Sequence, residues 1–521
     1  MHLARRLTAP ALGIPFVIEA VTILRMNHVA LLRRLPDDGF YYLEIARRLG
    51  RAEGSTFDGW NETNGYHPLW QLLLVPVTRY LRGDAAIRAA LLLGLVCLFA
   101  GMWLLVRLLA PVMGSFTAAT AGIVAAATTI RSTVDGMEGA VVVLAVALVA
   151  TALVPAIAEL PRRPALLATA TTLLVLARLD YLVVVPIIPL AVGLRHRSPR
   201  AAARVAAWIA AAATPLAVAW LARWHHVLTT SATVKRATVE AQIEQQHGGY
   251  LSFAYLEFLA DVSAGYVEAL GRLMFDHGRA LTDVALLALC VVGLVVWRRR
   301  AALPATPNPR RDAARFALVT IVVLLATKAA VDLVVSPLWA TAWYVTAQQV
   351  AVGLTVGVCI GEAVRAMLRW RVTVGVAVAA VAGAALVVNA PVWTTTTDAR
   401  HRAGAWQDQL DLTATWLGTA APPGRVGARD AGLLGFRLDG RREVVNLDGL
   451  VNDYEFAGLV VERTSILSLA RREDVRLLVG RFEIADDCAR MLWSSPGEVE
   501  YTDTLAGTTR QRINVYDVLS C

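Results

Sequence analysis

Long apolar runs constrain this chain most, because a helix needs about 20 apolar residues to cross a bilayer. Of the 521 residues, 56% are hydrophobic and only 17% are charged. A soluble protein of this length would carry about a quarter charged residues. The sequence therefore predicts an all-α polytopic membrane domain, residues 1–388, of about eleven transmembrane helices. The runs begin near Leu7, Ala85, Phe116, Ala140, Ala165, Tyr181, Val205, Leu281, Phe316, Ala340 and Val372.

Arginine placement predicts the orientation of these runs. If Pro68–Tyr80 does not span, nearly all arginine clusters between spans fall on one side, which the positive-inside rule makes cytoplasmic. The N-terminus is then cytoplasmic, and Ala165–Leu194 forms two helices that turn at Arg178 to Asp180. The net charge of +9 follows these clusters and does not indicate nucleic-acid binding. The loops on that side are Leu108–Ser115, Leu160–Pro164, Arg195–Arg204, Arg298–Arg315 and Arg365–Arg371, and the last four contain the arginine clusters.

The first long polar interruption is Pro36–Trp70, within a predicted outer loop, residues 25–84. It contains a segment with apolar residues at helical spacing, which predicts an amphipathic helix lying along a membrane surface. The apolar positions are Phe40, Leu43, Ile45, Ala46 and Leu49, and the polar ones are Glu44, Arg47, Arg48 and Arg51.

Asp37 and Asp38 open this stretch, and two interpretations apply. An aspartate before a helix satisfies free N–H groups as an N-cap, which requires only one of the two. Alternatively, one carboxylate is a general base that takes a proton from a hydroxyl. Neighbouring carboxylates raise one another's pKa, which suits a base near neutral pH.

At these residues the sequence resembles the first outer loop of the GT-C glycosyltransferases, polytopic enzymes that take a sugar from a polyprenyl-phosphate carrier. Asp38, Tyr42, Glu44, Ile45 and Ala46 fit the family's acidic residue, aromatic residue and Glu-Ile-Ala-like helix. The run STFDGWNETNGYHPLW is similar to a bacterial subgroup with STFDG and TNGYHPLW. Further fragments fit in order: DGMEGAVVVLA, ARLDYLVVVP, TTSATVK, RDAGLLGF and VVNLDGLVND.

The resemblance implies a role for each candidate residue. Asp38, with Asp37 beside it, would be the general base, and the sugar would invert at its anomeric carbon. The leaving lipid phosphate needs cations, and Lys235 is one of only two lysines in the chain. The phosphate-binding candidates are Lys235, Arg236, Arg178 and Lys328. The acceptor- or sugar-binding candidates are Glu138, Tyr66, His67, Asn64 and Asp180.

Each assignment has a plainer alternative. Arg236 could belong to a solvated loop, Lys328 could neutralise Asp332 four residues on, and Arg178 could form a structural ion pair with Asp180. Where the family has a clean acidic pair after the third span, this chain has Asp135 and Glu138, and either could contribute. His67 has two interpretations: it could bind a divalent cation together with Asp38 and Glu138, or it could only form hydrogen bonds. Tyr66 and Tyr344 could stack on a sugar or belong to an aromatic belt.

The expected partners are a polyprenyl-phosphate donor that carries a mannose- or arabinofuranose-like sugar, an acceptor glycan, lipid or protein, and the surrounding membrane lipids. The expected place is the bacterial cytoplasmic (inner) membrane. A lipid-linked sugar flippase is the main alternative, although such transporters usually show paired repeats and mid-membrane charges. A non-catalytic envelope assembly protein is the third.

The polar region at residues 389–521 is predicted to be a small extracytoplasmic α/β domain. Glu443–Leu447, Val475–Val479 and Ile513–Val518 have strand-like composition. Cys488 and Cys521 could pair if this domain faces an oxidising compartment. Asp430 and the run 446–453 are polar and turn-like, which predicts loop capping or acceptor guidance.

Overall fold

The computed structural model describes residues 2–159, 164–249, 252–260, 262–263, 291, 294–295, 308–335, 344–369, 406–484, 488–503 and 507–518. Within these ranges, residues 253–260 and 406–419 are also helical. The named helices are α1 (His2–Arg25), α2 (His28–Leu32), α3 (Asp37–Gly50), α4 (Pro68–Tyr80), α5 (Gly83–Met113), α6 (Ser115–Thr133), α7 (Gly139–Ala158), α8 (Ala165–Ala177), a 3-10 helix (Leu179–Val184), α9 (Ile187–His196), α10 (Pro199–Trp224), α11 (Thr230–His247), α12 (Pro309–Val335), α13 (Thr346–Arg369), α14 (Gly432–Leu438), α15 (Tyr454–Val461) and α16 (Ile466–Arg472).

The protein is a multi-pass membrane protein. Six described helical segments are long and apolar enough to cross a bilayer: Gly83–Met113, Gly139–Ala158, Leu179–His196, Pro199–Trp224, Pro309–Val335 and Thr346–Ala366. The runs predicted near Leu281 and Val372 lie outside the described residues, so the count of about eleven spans stays a prediction. Helix α4 has 13 residues, about 20 Å of helix, which is too short for a bilayer core of about 30 Å.

Helices α8 and α9 form the predicted turn. Helix α8 ends at Ala177, and Arg178, which follows it, contacts Glu138 at the start of α7. His196 ends α9 and its Nε2 lies 2.9 Å from the Ala156 carbonyl oxygen near the end of α7. Helix α8 therefore runs antiparallel to α7, and α9 returns in the same direction as α7, as the arginine distribution predicts.

Small residues let α6 and α13 pack closely. A Cβ added to Gly357 of α13 would lie 2.5 Å from the Ala121 Cα of α6. Such close backbone approach is how membrane helices associate when lipid provides no hydrophobic drive between them. Helices α1 and α5 complete this side of the bundle against α6.

The C-terminal region has the predicted α/β character. Its strands are β1 (Arg425–Ala428), β2 (Val444–Asn446), β3 (Val475–Gly480), β4 (Arg490–Ser494), β5 (Val499–Asp503), β6 (Gly507–Gln511) and β7 (Asn514–Asp517). Five of them form a sheet of order β2-β1-β3-β7-β4, in which β1 pairs in parallel with β2 and β3, and β7 is antiparallel to β3 and β4. Strands β5 and β6 form a separate hairpin. All three predicted strand runs are strands.

Helix α3 lies between the membrane helices and this sheet region. Its apolar residues join the main core, and α4 and α14 pack against it. The predicted amphipathic helix is present, but its polar face is covered by the C-terminal region, and its placement along a membrane surface stays a prediction. Glu44 and Arg47 are buried there, and Arg47 forms ion pairs with both Glu44 and Asp439.

Candidate functional site

The two carboxylates that open α3 face different partners. Asp37 accepts hydrogen bonds from the Gly432 and Leu433 amides, both at 2.9 Å. Asp37 therefore caps α14, whereas the expected N-cap role concerned its own helix, where Pro36 holds the N-cap position. Burial, with the nearby Asp430 charge, raises the pKa of Asp37 to about 7. This carboxylate ties α3 to the C-terminal region.

Asp38 faces the opposite way, toward α11. Its Oδ2 lies 3.8 Å from Lys235 Nζ. The Asp38 side chain is 30% exposed and the Lys235 side chain 17%. The pair is therefore accessible from outside the protein, as a site for a reacting hydroxyl and an anion must be.

Lys235 and a second cation meet at Tyr344. Lys235 Nζ donates a hydrogen bond of 3.2 Å to the Tyr344 hydroxyl, and the Arg178 guanidinium lies 4.1 Å from the centroid of its ring. Burial lowers the pKa of Lys235, but Tyr344 and Asp38 raise it more, so the net pKa lies above its ordinary value. Lys235 is therefore positively charged at physiological pH.

Glu138 anchors the next part of the cluster. It accepts hydrogen bonds from Arg178 Nη1 at 2.9 Å and from the Tyr42 hydroxyl at 3.2 Å, and His67 Nε2 lies 3.7 Å away. Glu138 rather than Asp135 thus joins the candidate site. Asp135 instead accepts a hydrogen bond from the Met137 amide within its own turn.

His67 has a defined tautomer in this arrangement. Its Nδ1 accepts a hydrogen bond from the Leu179 amide at 3.3 Å, which leaves the proton on Nε2, facing Glu138. Burial lowers the pKa of His67 more strongly than Glu138 raises it. His67 is therefore a neutral hydrogen-bonding residue that joins the outer loop to the end of α8.

Asp180 connects the cluster to Lys328. It accepts hydrogen bonds from Arg178 and lies 3.0 Å from Lys328 Nζ. Lys328 is fully buried and also pairs with Asp332. The ion pair expected from the four-residue spacing is therefore present, but Asp180 shares the Lys328 ammonium. Charges near a membrane core are stable only when paired or solvated. Three cations and four carboxylates from five segments form this cluster: Lys235, Arg178, Lys328, Asp38, Glu138, Asp180 and Asp332.

Asn64 and Tyr66 lie in the framework of the loop rather than in this cluster. Asn64 Oδ1 accepts a hydrogen bond from the Thr230 amide, and its Nδ2 donates one of 2.7 Å to the Tyr454 hydroxyl. The Tyr66 hydroxyl lies 2.6 Å from Ser55 Oγ. Asn64 therefore fixes the first turn of α11, which carries Lys235 in its next turn.

Arg236 points away from the cluster. Its side chain is 66% exposed and forms an ion pair with Glu240 at 2.7 Å. Lys235 and Arg236 are sequence neighbours on one helix, so they face different directions. Of the four predicted phosphate-binding residues, the structure brings Lys235, Arg178 and Lys328 together and leaves Arg236 apart.

The C-terminal region contacts Tyr41 of α3. Two of the contacting residues belong to the run 446–453, which is predicted to cap a loop or guide the acceptor. The Tyr41 hydroxyl accepts hydrogen bonds from Asn446 Nδ2 at 2.6 Å and the Ala431 amide at 3.0 Å, and lies 3.3 Å from Asp448 Oδ2. Burial raises the pKa of Asp448 to about 8. No local spacing signals these contacts, because about 400 residues of sequence separate the partners.

No metal site is apparent in the part of the chain that the structure describes, where no three His, Cys, Asp or Glu side chains are grouped so that they could hold a metal ion. Of the three residues proposed for a divalent cation, His67 lies beside Glu138, whereas Asp38 lies beside Lys235. Lys235 places a positive charge 3.8 Å from the Asp38 carboxylate, which disfavours a second cation there.

Comparison with solved structures identifies the fold. The apo crystal structure of the Archaeoglobus fulgidus oligosaccharyltransferase aligns with a TM-score of 0.54 at 12% identity, covering 91% of this chain and 69% of that chain. This chain has the GT-C fold. The GT-C fold predicted from the outer-loop motifs is confirmed.

Other comparisons add less to this assignment of a GT-C fold. ArnT from Cupriavidus metallidurans, solved bound to undecaprenyl phosphate, aligns with a TM-score of 0.41 at 14% identity, covering 96% of this chain and 97% of that chain. No family model and no curated protein matches the sequence.

Proposed function

We propose that this protein is a membrane glycosyltransferase that moves a sugar from a polyprenyl-phosphate carrier to an acceptor hydroxyl. The observation that carries the proposal is the 3.8 Å approach of Asp38 to Lys235 beside Arg178. A candidate base and candidate phosphate ligands thereby meet at one accessible place. The GT-C fold is consistent with this chemistry but does not by itself establish it.

In the proposed reaction, Asp38 accepts the proton of the acceptor hydroxyl as its oxygen attacks the anomeric carbon. The bond from that carbon to the phosphate oxygen breaks, and the sugar is transferred with inversion. The leaving lipid phosphate carries the negative charge, which Lys235 and Arg178 stabilise. Glu138 and Asp180 hold the Arg178 guanidinium by hydrogen bonds at 2.9 Å each.

We place this site on the outer side of a bacterial cytoplasmic membrane. Its residues come from the start of α3, the start of α7, the end of α8 and the start of α11. The described arginines within 195–204, 310–315 and 365–369 lie at the other ends of α9, α10, α12 and α13. The positive-inside rule supports that orientation. Cys488 is disulfide-bonded, which supports an oxidising environment for the C-terminal region. Cys521 lies outside the described residues.

A flippase for lipid-linked sugars is the competing function, and a transfer assay separates the two. Membranes containing this protein would receive polyprenyl-phosphate mannose or polyprenyl-phosphate arabinofuranose, labelled in the sugar, with envelope glycan, lipid or protein fractions as acceptors. The proposal predicts a new glycosidic product that membranes without the protein do not form. Movement of intact labelled lipid between leaflets, with no product from either sugar, would refute it.

A further inference from the structure

Tyr344 contacts two of the candidate phosphate-binding cations, Lys235 and Arg178. Its hydroxyl accepts a 3.2 Å hydrogen bond from Lys235, and its ring lies 4.1 Å from the Arg178 guanidinium carbon. Arginine over an aromatic face is a favourable cation–π geometry. One side chain therefore contacts one cation through its hydroxyl and the other through its ring.

The backbone around Tyr344 is well supported. Tyr344 lies two residues before α13 begins at Thr346, and Val345 and Thr346 are buried. A Cβ on Gly139 would lie 2.7 Å from Thr346 Oγ1, so this segment packs directly against the start of α7, next to Glu138. The position of the ring is thus fixed relative to the carboxylate that orients Arg178.

Two cations held close together repel, and the Arg178 charge opposes protonation of Lys235. Asp38, Glu138 and Asp180 offset this repulsion, and an anion that binds between Lys235 and Arg178 would be attracted by both charges. A phenol between the cations accepts a hydrogen bond from the ammonium and offers its ring to the guanidinium. Because Arg178 already covers one ring face, the geometry favours holding cations over stacking on a sugar.

We propose that Tyr344 is a positioning residue that holds Lys235 and Arg178 at a fixed separation for one lipid phosphate group. This assignment rests on the proposed function, since it names how the donor's phosphate is received. Tyr344 acts through the two cations and takes no part in proton transfer.

A double-mutant cycle tests the assignment, with binding of undecaprenyl phosphate to the purified protein in lipid nanodiscs as the measurement. Tyr344→Phe removes only the hydrogen bond that positions the Lys235 ammonium and leaves both cations in place, so it should weaken binding about three- to tenfold. In a Lys235→Gln background the same change should alter binding less than twofold, because the hydroxyl then has no ammonium to hold. The turnover assay should show the Tyr344→Phe loss in KM for the donor rather than in kcat.

Tyr255→Phe is the matched control, since its buried hydroxyl donates to the Val334 carbonyl oxygen at 2.9 Å. It should leave lipid phosphate binding unchanged. Equal losses from Tyr344→Phe in both backgrounds would overturn the assignment alone. So would a Tyr344→Leu protein that binds lipid phosphate normally but has lost turnover, which is the result expected of a residue that stacks on the sugar. Absence of lipid phosphate binding by the wild-type protein would overturn the assignment and the proposed function together.

Discussion

The Asp38 carboxylate and the Lys235 ammonium lie 3.8 Å apart, one in the first turn of α3 and the other in the second turn of α11. Their separation depends on the segment between them in space, where Asn64 binds the Thr230 amide at the start of α11. The outer loop, α11 and the C-terminal region therefore determine together whether the candidate base and the phosphate ligand meet.

Lys235 and its neighbour Arg236 form a matched pair for testing phosphate recognition. Lys235→Gln removes a cation that faces the cluster, and a charge-assisted contact of this kind is worth about 1.5–3 kcal/mol, so undecaprenyl phosphate binding should weaken roughly 10- to 100-fold. Arg236→Gln removes an exposed cation paired with Glu240 and should change binding less than twofold. Equal effects of the two substitutions would indicate that only the general positive charge of α11 matters.

Gly65 is required by the approach of the C-terminal region to the outer loop. A Cβ at this position would lie 1.9 Å from the Leu450 carbonyl oxygen, so Gly65→Ala must displace one of the two segments. Overpacking of this kind costs about 1–3 kcal/mol. We expect a thermal unfolding midpoint lowered by several degrees, together with reduced turnover.

Gly458→Ala is the control for that experiment, because nothing lies within 4 Å of a Cβ added there in α15. It should keep or slightly raise the unfolding midpoint, since alanine is a better helix former than glycine. A Gly65→Ala protein as stable and active as Gly458→Ala would show that the loop and the C-terminal region are not in close contact.

Asp448 should make stability depend on pH. Its folded-state pKa of about 8 lies above the value of about 3.9 for an unfolded aspartate, so the folded protein binds this proton more tightly. The stabilisation is present at low pH and is lost as pH rises toward 8. The unfolding midpoint of the wild type relative to Asp448→Asn should therefore fall between pH 6.5 and 8.

That pH range avoids the opposing contribution of His67, whose lowered pKa costs stability mainly as pH falls below about 6.5. Asp37 acts in the same direction as Asp448, so the Asp448→Asn protein should keep a smaller slope of its own. Identical pH profiles for the two proteins would mean that Asp448 titrates normally and is not buried against Tyr41 and Asn446.

The sequence was informative where one chemical property repeats along the chain. Apolar runs predicted the spans, arginine clusters predicted the turn between α8 and α9, and strand-like runs predicted β2, β3 and β7. Rarity is also a signal, since Lys235 is one of only two lysines in the chain and faces Asp38. These signals do not require knowledge of distant contacts.

The remaining features depend on contacts between segments far apart in sequence. The polar face of α3 gives no sign in the sequence that Asp439, 392 residues later, forms an ion pair with Arg47. Asp37 and Asp38 look equivalent in the sequence. Only the position of α14 shows that Asp37 caps that helix while Asp38 faces Lys235. Asn64 and Tyr66 belong to a motif that points to the site, yet their hydrogen bonds hold the loop that surrounds it.

The most direct test of the central claim is sugar transfer by Asp38→Asn compared with Glu53→Gln, an exposed carboxylate of the same loop paired with Arg48. Loss of a general base reduces turnover by about 10²- to 10⁴-fold. The account predicts that loss for Asp38→Asn, with normal expression and undecaprenyl phosphate binding, and turnover within twofold of wild type for Glu53→Gln. Transfer by Asp38→Asn at the wild-type rate would contradict the account.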